Sequence, residues 1–180
     1  MTTTELSPTK ASSAQPGKYL TFDLGGEIYG MSVLRVREII RLCPVTPVAN
    51  MPRHIRGVIN LRGRVIPLVD LRARFGLPAA ADHDRTCFIV TEVAASGGGL
   101  RPYAVVIDSV REVACLTAAD LVPTPDFGGA IDDRFITGMA RTDSSVITLI
   151  DIDSIAAADA TAAIHDPAAG DQHAGDQPTP

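Results

Sequence analysis

The sequence contains no tryptophan, and aromatic residues make up only 4% of its 180 residues. Its three cysteines, Cys43, Cys87 and Cys115, are odd in number and form no Cys-x-x-Cys pair, and its four histidines lack metal-ligand spacing. These features argue against a disulfide framework or a zinc site and favour reduced thiols. We therefore predict that the protein uses no metal and no cofactor.

Long apolar segments are also missing. Residues 1–17 have no apolar stretch typical of a signal peptide. No apolar run approaches the length of about 18 residues that a membrane-spanning helix needs. We therefore expect a cytoplasmic protein that does not insert into a membrane.

The sequence lacks the common catalytic motifs as well. It has no Gly-x-Ser-x-Gly, no Gly-x-x-x-x-Gly-Lys and no His-Glu-x-x-His. The acidic pair Asp132-Asp133 has no further clustered ligand, and the glycines at 97–99 do not precede a helical pattern. We therefore predict that the protein is not an enzyme.

The chain is rich in aliphatic residues. Hydrophobic residues make up 46% of the sequence and charged residues 21%, which is typical of a globular protein. Many short β-branched or alternating segments predict strands, whereas helical patterns are brief. This spacing favours a mainly β fold, a barrel or a sandwich, over a Rossmann-type sheet. The segments are YLTFDL, EIYGMSV, RVIPLVD, CFIVTEV, YAVVID and VITLIDI.

An internal repeat runs through these strands. Tyr29–Ile39 resembles Tyr103–Val113 at an offset of 74, and Ile55–Leu71 resembles Ile136–Ile152 at an offset of 81. Because the two blocks occur in the same order, we infer two copies of one small β unit. A unit of about 60 residues is marginal alone, so pairing two copies would bury more surface and leave a groove between them.

The two ends of the chain differ from the middle in amino-acid composition. The first segment, 1–17, is rich in Thr, Ser and Pro, and the last, 157–180, is rich in Ala, Asp and Pro. Neither has the apolar content that offsets the entropy of ordering, so we predict disordered tails. The folded part is then 18–156, with the second copy of the unit starting near residue 100.

Positive charge is concentrated in residues 35–74, which hold nine arginines against Glu38 and Asp70. Small barrels bind oligonucleotides, so a nucleic-acid-binding module is an alternative function for this region. However, no aromatic residue lies between Tyr29 and Phe75 to provide a stacking platform, and the net charge of the chain is −5. We therefore rank nucleic-acid binding second.

Arg62 lies in a Leu-Arg-Gly turn in which Gly63 can adopt positive φ. Such a turn would hold a guanidinium outward, where it suits a partner's carboxylate or carbonyl oxygen. The alternative is an ion pair within the domain, with Glu38 as the acid. The two interpretations are compatible, because one pair can also be half of an interface.

Several segments together resemble the CheW-type chemotaxis coupling proteins. The most specific is the stretch from Pro52 to Gly63, PRHIRGVINLRG, and the resemblance covers residues 18–156. Further matching segments are YLTFDL, EIYGMSV, VREII, YAVVIDSVREV, PDFGGAIDDRFITGM and VITLIDIDSI.

The resemblance implies a mainly β fold of two interleaved, five-stranded SH3-like β-barrels with short helices. It implies a non-catalytic adaptor that couples methyl-accepting chemoreceptors, through their cytoplasmic tip, to the regulatory domain of a CheA-type histidine kinase. Other CheW-like proteins are further partners, and the protein would be recruited to membrane-associated receptor arrays. No nucleic-acid partner is implied.

The resemblance also implies which residues bind. Its receptor- and kinase-facing positions fall on Val36, Glu38, Gly57 and Arg62, with Asn60 and Gly63 shaping the loop. Candidate walls of the groove between the barrels are Val106, Ile107 and Val110. The position of a second kinase contact falls on Phe127.

Overall fold

The computed structural model describes residues 12–125 and 133–162. The strands in these ranges are β1 (Gly17–Leu24), β2 (Glu27–Ser32), β3 (Val36–Arg41), β4 (Ile55–Leu61), β5 (Arg64–Asp70), β6 (Cys87–Ala94), β7 (Leu100–Ile107), β8 (Ser109–Leu116), β9 (Leu121–Val122), β10 (Ile136–Arg141) and β11 (Val146–Ile150). The helices are α1 (Leu71–Arg74) and α2 (Ile152–Ala162), and single 3-10 turns span Val33–Arg35 and Asp133–Phe135.

The strands form two sheets. The first has the order β8-β1-β2-β11-β10-β9 and the second the order β3-β6-β7-β5-β4. Neighbouring strands are antiparallel except for the pairs β2–β11 and β5–β7. The predicted mainly β fold with two five-stranded units and short helices is confirmed, and the two-residue β9 extends one of the sheets.

The internal repeat is visible in the pairing of the strands. Leu68 lies opposite Ala104 in the second sheet, and Leu149 lies opposite Gly30 in the first. These pairs are related by the offsets of 81 and 74 that the sequence shows. In addition, β4 and β10 each carry a register shift near their start. The repeated sequence therefore specifies the same local geometry twice.

The two copies are interleaved. The sheet that contains β1 and β2 is completed by β8, β10 and β11, whereas β3, β4 and β5 join β6 and β7. In the first sheet, β1 lies between β2 and β8. In the second sheet, β6 lies between β7 and β3 in the same way, so β6 is the counterpart of β1. The second copy thus begins at Cys87, and the expectation that it starts near residue 100 was wrong.

A central core joins the sheets. Leu20 and Tyr29 of the first sheet and Val69 and Ile107 of the second are fully or almost fully buried in one cluster. Burial of each large aliphatic or aromatic side chain contributes about 1.5–3 kcal/mol. The space between the units is therefore filled by side chains rather than open.

An ion pair pins each of the two places where the chain crosses between sheets. Before β3, Arg35 contacts Asp153 of α2 at 2.6 Å. Before β8, Asp108 contacts Arg72 of α1 at 2.5 Å and accepts a hydrogen bond from the Gly25 backbone N–H at 2.9 Å. Arg72 and Asp153 occupy equivalent repeat positions. This position supplies the cation of the ion pair in the first copy and the anion in the second.

The pair at the second crossing predicts a dependence of stability on pH. Burial alone would raise the pKa of Asp108, but hydrogen bonds from Arg72 and Gly25 lower it below the ordinary value of 3.8. The folded state therefore binds this proton less tightly than the unfolded state, and the stabilisation is lost as pH falls through the depressed pKa. In urea unfolding, we expect Arg72→Met to reduce the loss of stability between about pH 5 and pH 2. An unchanged loss would contradict this assignment.

Ordered structure extends into both segments that were predicted to be disordered tails. Helix α2 continues to Ala162, so the prediction that disorder begins at residue 157 was wrong for 157–162. At the other end, the backbone N–H of Ser13 donates to the carbonyl of Thr137 at 2.7 Å, and β1 begins at Gly17. The remaining parts of both segments lie outside the described residues.

Candidate functional site

The hairpin between β4 and β5 presents the most exposed of the predicted binding residues. Its turn consists of Arg62 and Gly63, with φ angles of 51° and 80°. Positive φ at both positions is the type I′ pattern, which follows the twist of the strands. The Asn60 side chain accepts a hydrogen bond from the Gly63 N–H at 3.0 Å and closes the turn.

Arg62 is an unusual residue for the first position of such a turn. The left-handed conformation suits Gly, Asn or Asp, and another side chain there costs on the order of 1 kcal/mol. Strain of this kind occurs where the side chain has a use. The turn therefore indicates that the Arg62 guanidinium is held in place for what it contacts.

That guanidinium forms a two-point ion pair with Glu38. Arg62 Nη1 donates to Oε1 at 2.7 Å, and Nη2 donates to Oε2 at 2.9 Å. Glu38 lies on β3 and Arg62 follows β4, the two outer strands of the second sheet. The pair thus joins the two edges of the sheet. The connection between β3 and β4 also pairs with β4, through the backbone of Thr46 and Val58. The predicted ion pair within the domain is confirmed.

The pair remains open to a partner. The Arg62 side chain is 74% exposed and that of Glu38 is 29% exposed. The hydrogen bond between them lowers the pKa of Glu38 and raises that of Arg62, so both stay charged at neutral pH. Exposed pairs of this kind add little to folding stability. The arrangement therefore suits recognition better than stabilisation.

An open groove of about 500 Å³ lies beside the pair. A second ion pair at its rim joins Arg37 of β3 to Glu92 of β6 at 2.9 Å. The groove combines charged walls with apolar side chains, and three of its residues are arginines, a residue type enriched at protein–protein interfaces. Its lining residues are Arg37, Glu38, Leu61, Arg62, Arg64, Ile66, Val90, Thr91, Glu92 and Pro102.

Gly57 does not lie with this cluster. It occupies the opposite end of β4 from Arg62, about 15 Å away at 3.3 Å per residue. Its φ is 137°, and a Cβ there would clash with the carbonyl oxygen of Thr46 and lie 3.0 Å from the Cα of Pro47. The structure thus gives Gly57 a role in the fold, because the backbone of the β3–β4 connection crosses directly over it.

The four valine and isoleucine candidates separate into two groups. Val36 and Val110 occupy equivalent repeat positions, and both are half-buried at the rim of the central core. Val106 and Ile107 are 4% and 0% exposed. The prediction that these two line a groove open to a partner was wrong, because the space between the sheets is filled. Phe127 lies outside the described residues.

A buried polar cluster escaped the sequence analysis. The carboxylate of Asp159 lies 2.9 Å from Nε2 of His54 and 3.3 Å from Nε of Arg74, and it accepts a hydrogen bond from the Tyr103 hydroxyl. Burial, with the nearby Asp159 carboxylate, raises the pKa of Tyr103. These contacts fix α2, which follows the first sheet, against elements that belong to the second.

No group of His, Cys, Asp and Glu in residues 12–125 and 133–162 has the arrangement of a metal site. In the same ranges, no helix is long and apolar enough to cross a membrane.

Comparison with known proteins agrees with this fold. The family model for the CheW-like domain matches residues 18–160. The chain belongs to the CheW family. The chemotaxis protein CheW of Klebsiella aerogenes is 35% identical over 138 residues, covering 77% of this chain and 80% of that protein. That of Rhizobium meliloti is 33% identical and covers 76% and 84%.

A solved CheW structure has the same architecture. The scaffolding protein TtCheW from Thermoanaerobacter tengcongensis superposes with a TM-score of 0.68 at 31% identity, covering 77% of this chain and 90% of that one. The CheW-family membership identifies this chain as a chemotaxis protein of the scaffold and adaptor type.

Proposed function

We propose that this CheW-family protein is a non-catalytic adaptor in chemotaxis signalling. It joins the regulatory domain of a CheA-type histidine kinase to the cytoplasmic tip of methyl-accepting chemoreceptors. The adaptor acts in the cytoplasm and is recruited to membrane-associated receptor arrays, where other CheW-like proteins are further partners. The observation that carries this proposal is the exposed Arg62–Glu38 pair on a strained hairpin turn.

The kinase domain would contact the hairpin and its groove. Arg62 is already held in one geometry by Glu38, so binding a partner's acceptor costs little additional side-chain entropy. Mixed charged and apolar groups then give orientation as well as affinity. An exchangeable contact of this kind has a Kd in the micromolar range, about −8 kcal/mol.

The receptor tip would contact the apolar rim of the central core. Val36 and Val110 mark equivalent places at the rim of the central core, one in each copy of the repeat. An apolar ridge of a helical hairpin can lie along such a rim in the helix-in-groove mode. Because Val36 lies two residues before Glu38 on β3, the surface for the receptor adjoins the surface for the kinase on one adaptor molecule.

The charge distribution argues against the nucleic-acid alternative. Six of the nine arginines in residues 35–74 are engaged in ion pairs with acidic side chains. A surface neutralised in this way releases few counterions from a phosphate backbone. The six are Arg35, Arg37, Arg56, Arg62, Arg72 and Arg74.

Calorimetric titration of the full chain into the kinase regulatory domain tests the kinase contact. We expect saturable binding that Arg62→Glu weakens by about 10-fold or more, because two carboxylates would then face each other where a pair had been. Asp143→Arg is the matched control, since Asp143 holds the equivalent position in the second hairpin. Binding that is unaffected by Arg62→Glu would contradict the assignment.

A further inference from the structure

The groove beside the hairpin carries a net charge of +1. Three arginines and two glutamates line it. Arg37 pairs with Glu92 at 2.9 Å and Arg62 with Glu38 at 2.7 Å. Arg64 is exposed and forms no ion pair or side-chain hydrogen bond with any residue in the described ranges. Its charge is therefore stabilised only by hydration in the free protein.

A partner that covers the groove removes that water. The two paired arginines keep their acceptors, whereas Arg64 would lose its hydration without replacement. The neighbouring lining is partly apolar, with Leu61, Ile66 and Pro102, so little solvent would remain to screen the charge. Burying an unpaired guanidinium is costly, and a carboxylate matches its planar fork best.

We propose that Arg64 determines specificity at this groove by binding a carboxylate from an acidic segment of the kinase regulatory domain. The inference rests on the proposed function, which supplies the partner. The second hairpin has Ser145 at the equivalent position, and Asp143 there replaces Arg62. The second hairpin carries Arg141 and Asp143, whose charges cancel, so only the first hairpin offers an acidic segment a net positive charge.

Titration of full-length variants into the kinase regulatory domain tests this assignment. We expect Arg64→Glu to weaken binding by about 10-fold or more and Arg64→Met to weaken it less. Arg64→Met also reduces the dependence of the Kd on salt concentration, because one charge pair is lost. Arg41→Glu is the matched control: Arg41 is exposed on β3 and does not line the groove. We expect its effect to stay within about 2-fold.

A rescue experiment identifies the carboxylate itself. Exposed Asp and Glu residues of the kinase domain are changed to Lys one at a time and titrated with Arg64→Glu. One reversal should restore binding to Arg64→Glu and not to Arg62→Glu. Failure of every reversal, or equal effects of Arg64→Glu and Arg41→Glu, overturns the assignment.

The two proposals fail in different ways. If Arg62→Glu still weakens binding when Arg64→Glu does not, the inference about Arg64 is wrong and the adaptor function stands. If the unmodified chain does not bind the kinase domain, the proposed function is wrong, and the contact assigned to Arg64 is wrong with it.

Discussion

Replacing Asp159 by alanine is expected to lower the free energy of unfolding by about 3–5 kcal/mol, the cost of removing one partner from a buried ion pair. Asp159 is 5% exposed, and its carboxylate faces the side chains of His54, Arg74 and Tyr103. Without it, the Arg74 guanidinium is left in a largely buried site with no counterion, and α2 loses one of its attachments to the second sheet. Urea unfolding followed by circular dichroism measures the change.

Two further variants separate the buried contact from helix propensity. Thr161→Ala lies on the same helix at an exposed position and should change stability by no more than about 0.5 kcal/mol. A chain that ends at residue 156 lacks Asp159 and should lose as much stability as Asp159→Ala, or more. A loss below about 1 kcal/mol for Asp159→Ala would mean that the carboxylate does not hold α2 in place.

The second large effect is expected at Gly57. A side chain there meets backbone atoms of Thr46 and Pro47, and the φ of 137° is unfavourable for any residue with a Cβ. Relief of the clash has to displace the β3–β4 connection and break the two Thr46–Val58 backbone hydrogen bonds, each 2.9 Å long. We expect Gly57→Ala to reduce the free energy of unfolding by about 3 kcal/mol, measured by urea unfolding.

Gly63→Ala provides the comparison that isolates the clash. Gly63 also has positive φ, at 80°, but a Cβ there would meet nothing within 4 Å. Only the conformational cost remains, so we expect a loss of about 1 kcal/mol. Equal losses for the two variants would show that the close approach at Gly57 has little energetic weight. If the difference holds, weakened partner binding by Gly57 variants reports a damaged fold rather than a lost contact.

The repeat and the strands were predictable because both are recorded in local sequence. The β period marks each strand, and the offsets of 74 and 81 relate the two copies. The interleaving was predicted only with the family resemblance and does not follow from the same pattern. Which copy supplies β3 to which sheet depends on contacts between residues far apart in the chain, and periodicity contains no information on them.

The site was predicted in part. Arg62 and Glu38 carry complementary charges, and the Leu-Arg-Gly turn marks where one of them is presented, so their pairing could be proposed from the residues. Val106 and Ile107 were assigned to a groove, although the uninterrupted apolar run of β7 is typical of a strand that is buried on both faces. Resemblance to a family identified positions but did not separate contacts from folding requirements, as Gly57 demonstrates.

Asp159 was missed because the segment that contains it was predicted to be disordered from its composition, and its helical periodicity was not used. The segment from residue 157 onward is rich in Ala and Asp, which is typical of a disordered tail. A signal was nevertheless present: Ile152, Ile155, Ala156 and Asp159 follow the i, i+3, i+4, i+7 spacing of one helix face. The buried face of α2 uses a carboxylate at its last position, where the partners are cationic or hydroxyl groups.

Reconstitution on membranes tests whether one molecule of this protein joins kinase to receptor. Kinase autophosphorylation would be followed with receptor-containing vesicles, with and without the full-length chain. We expect receptor control of the kinase to appear only when the chain is added, and we expect Arg62→Glu to reduce it while Asp143→Arg does not. Receptor control that is the same with and without the chain would contradict this expectation.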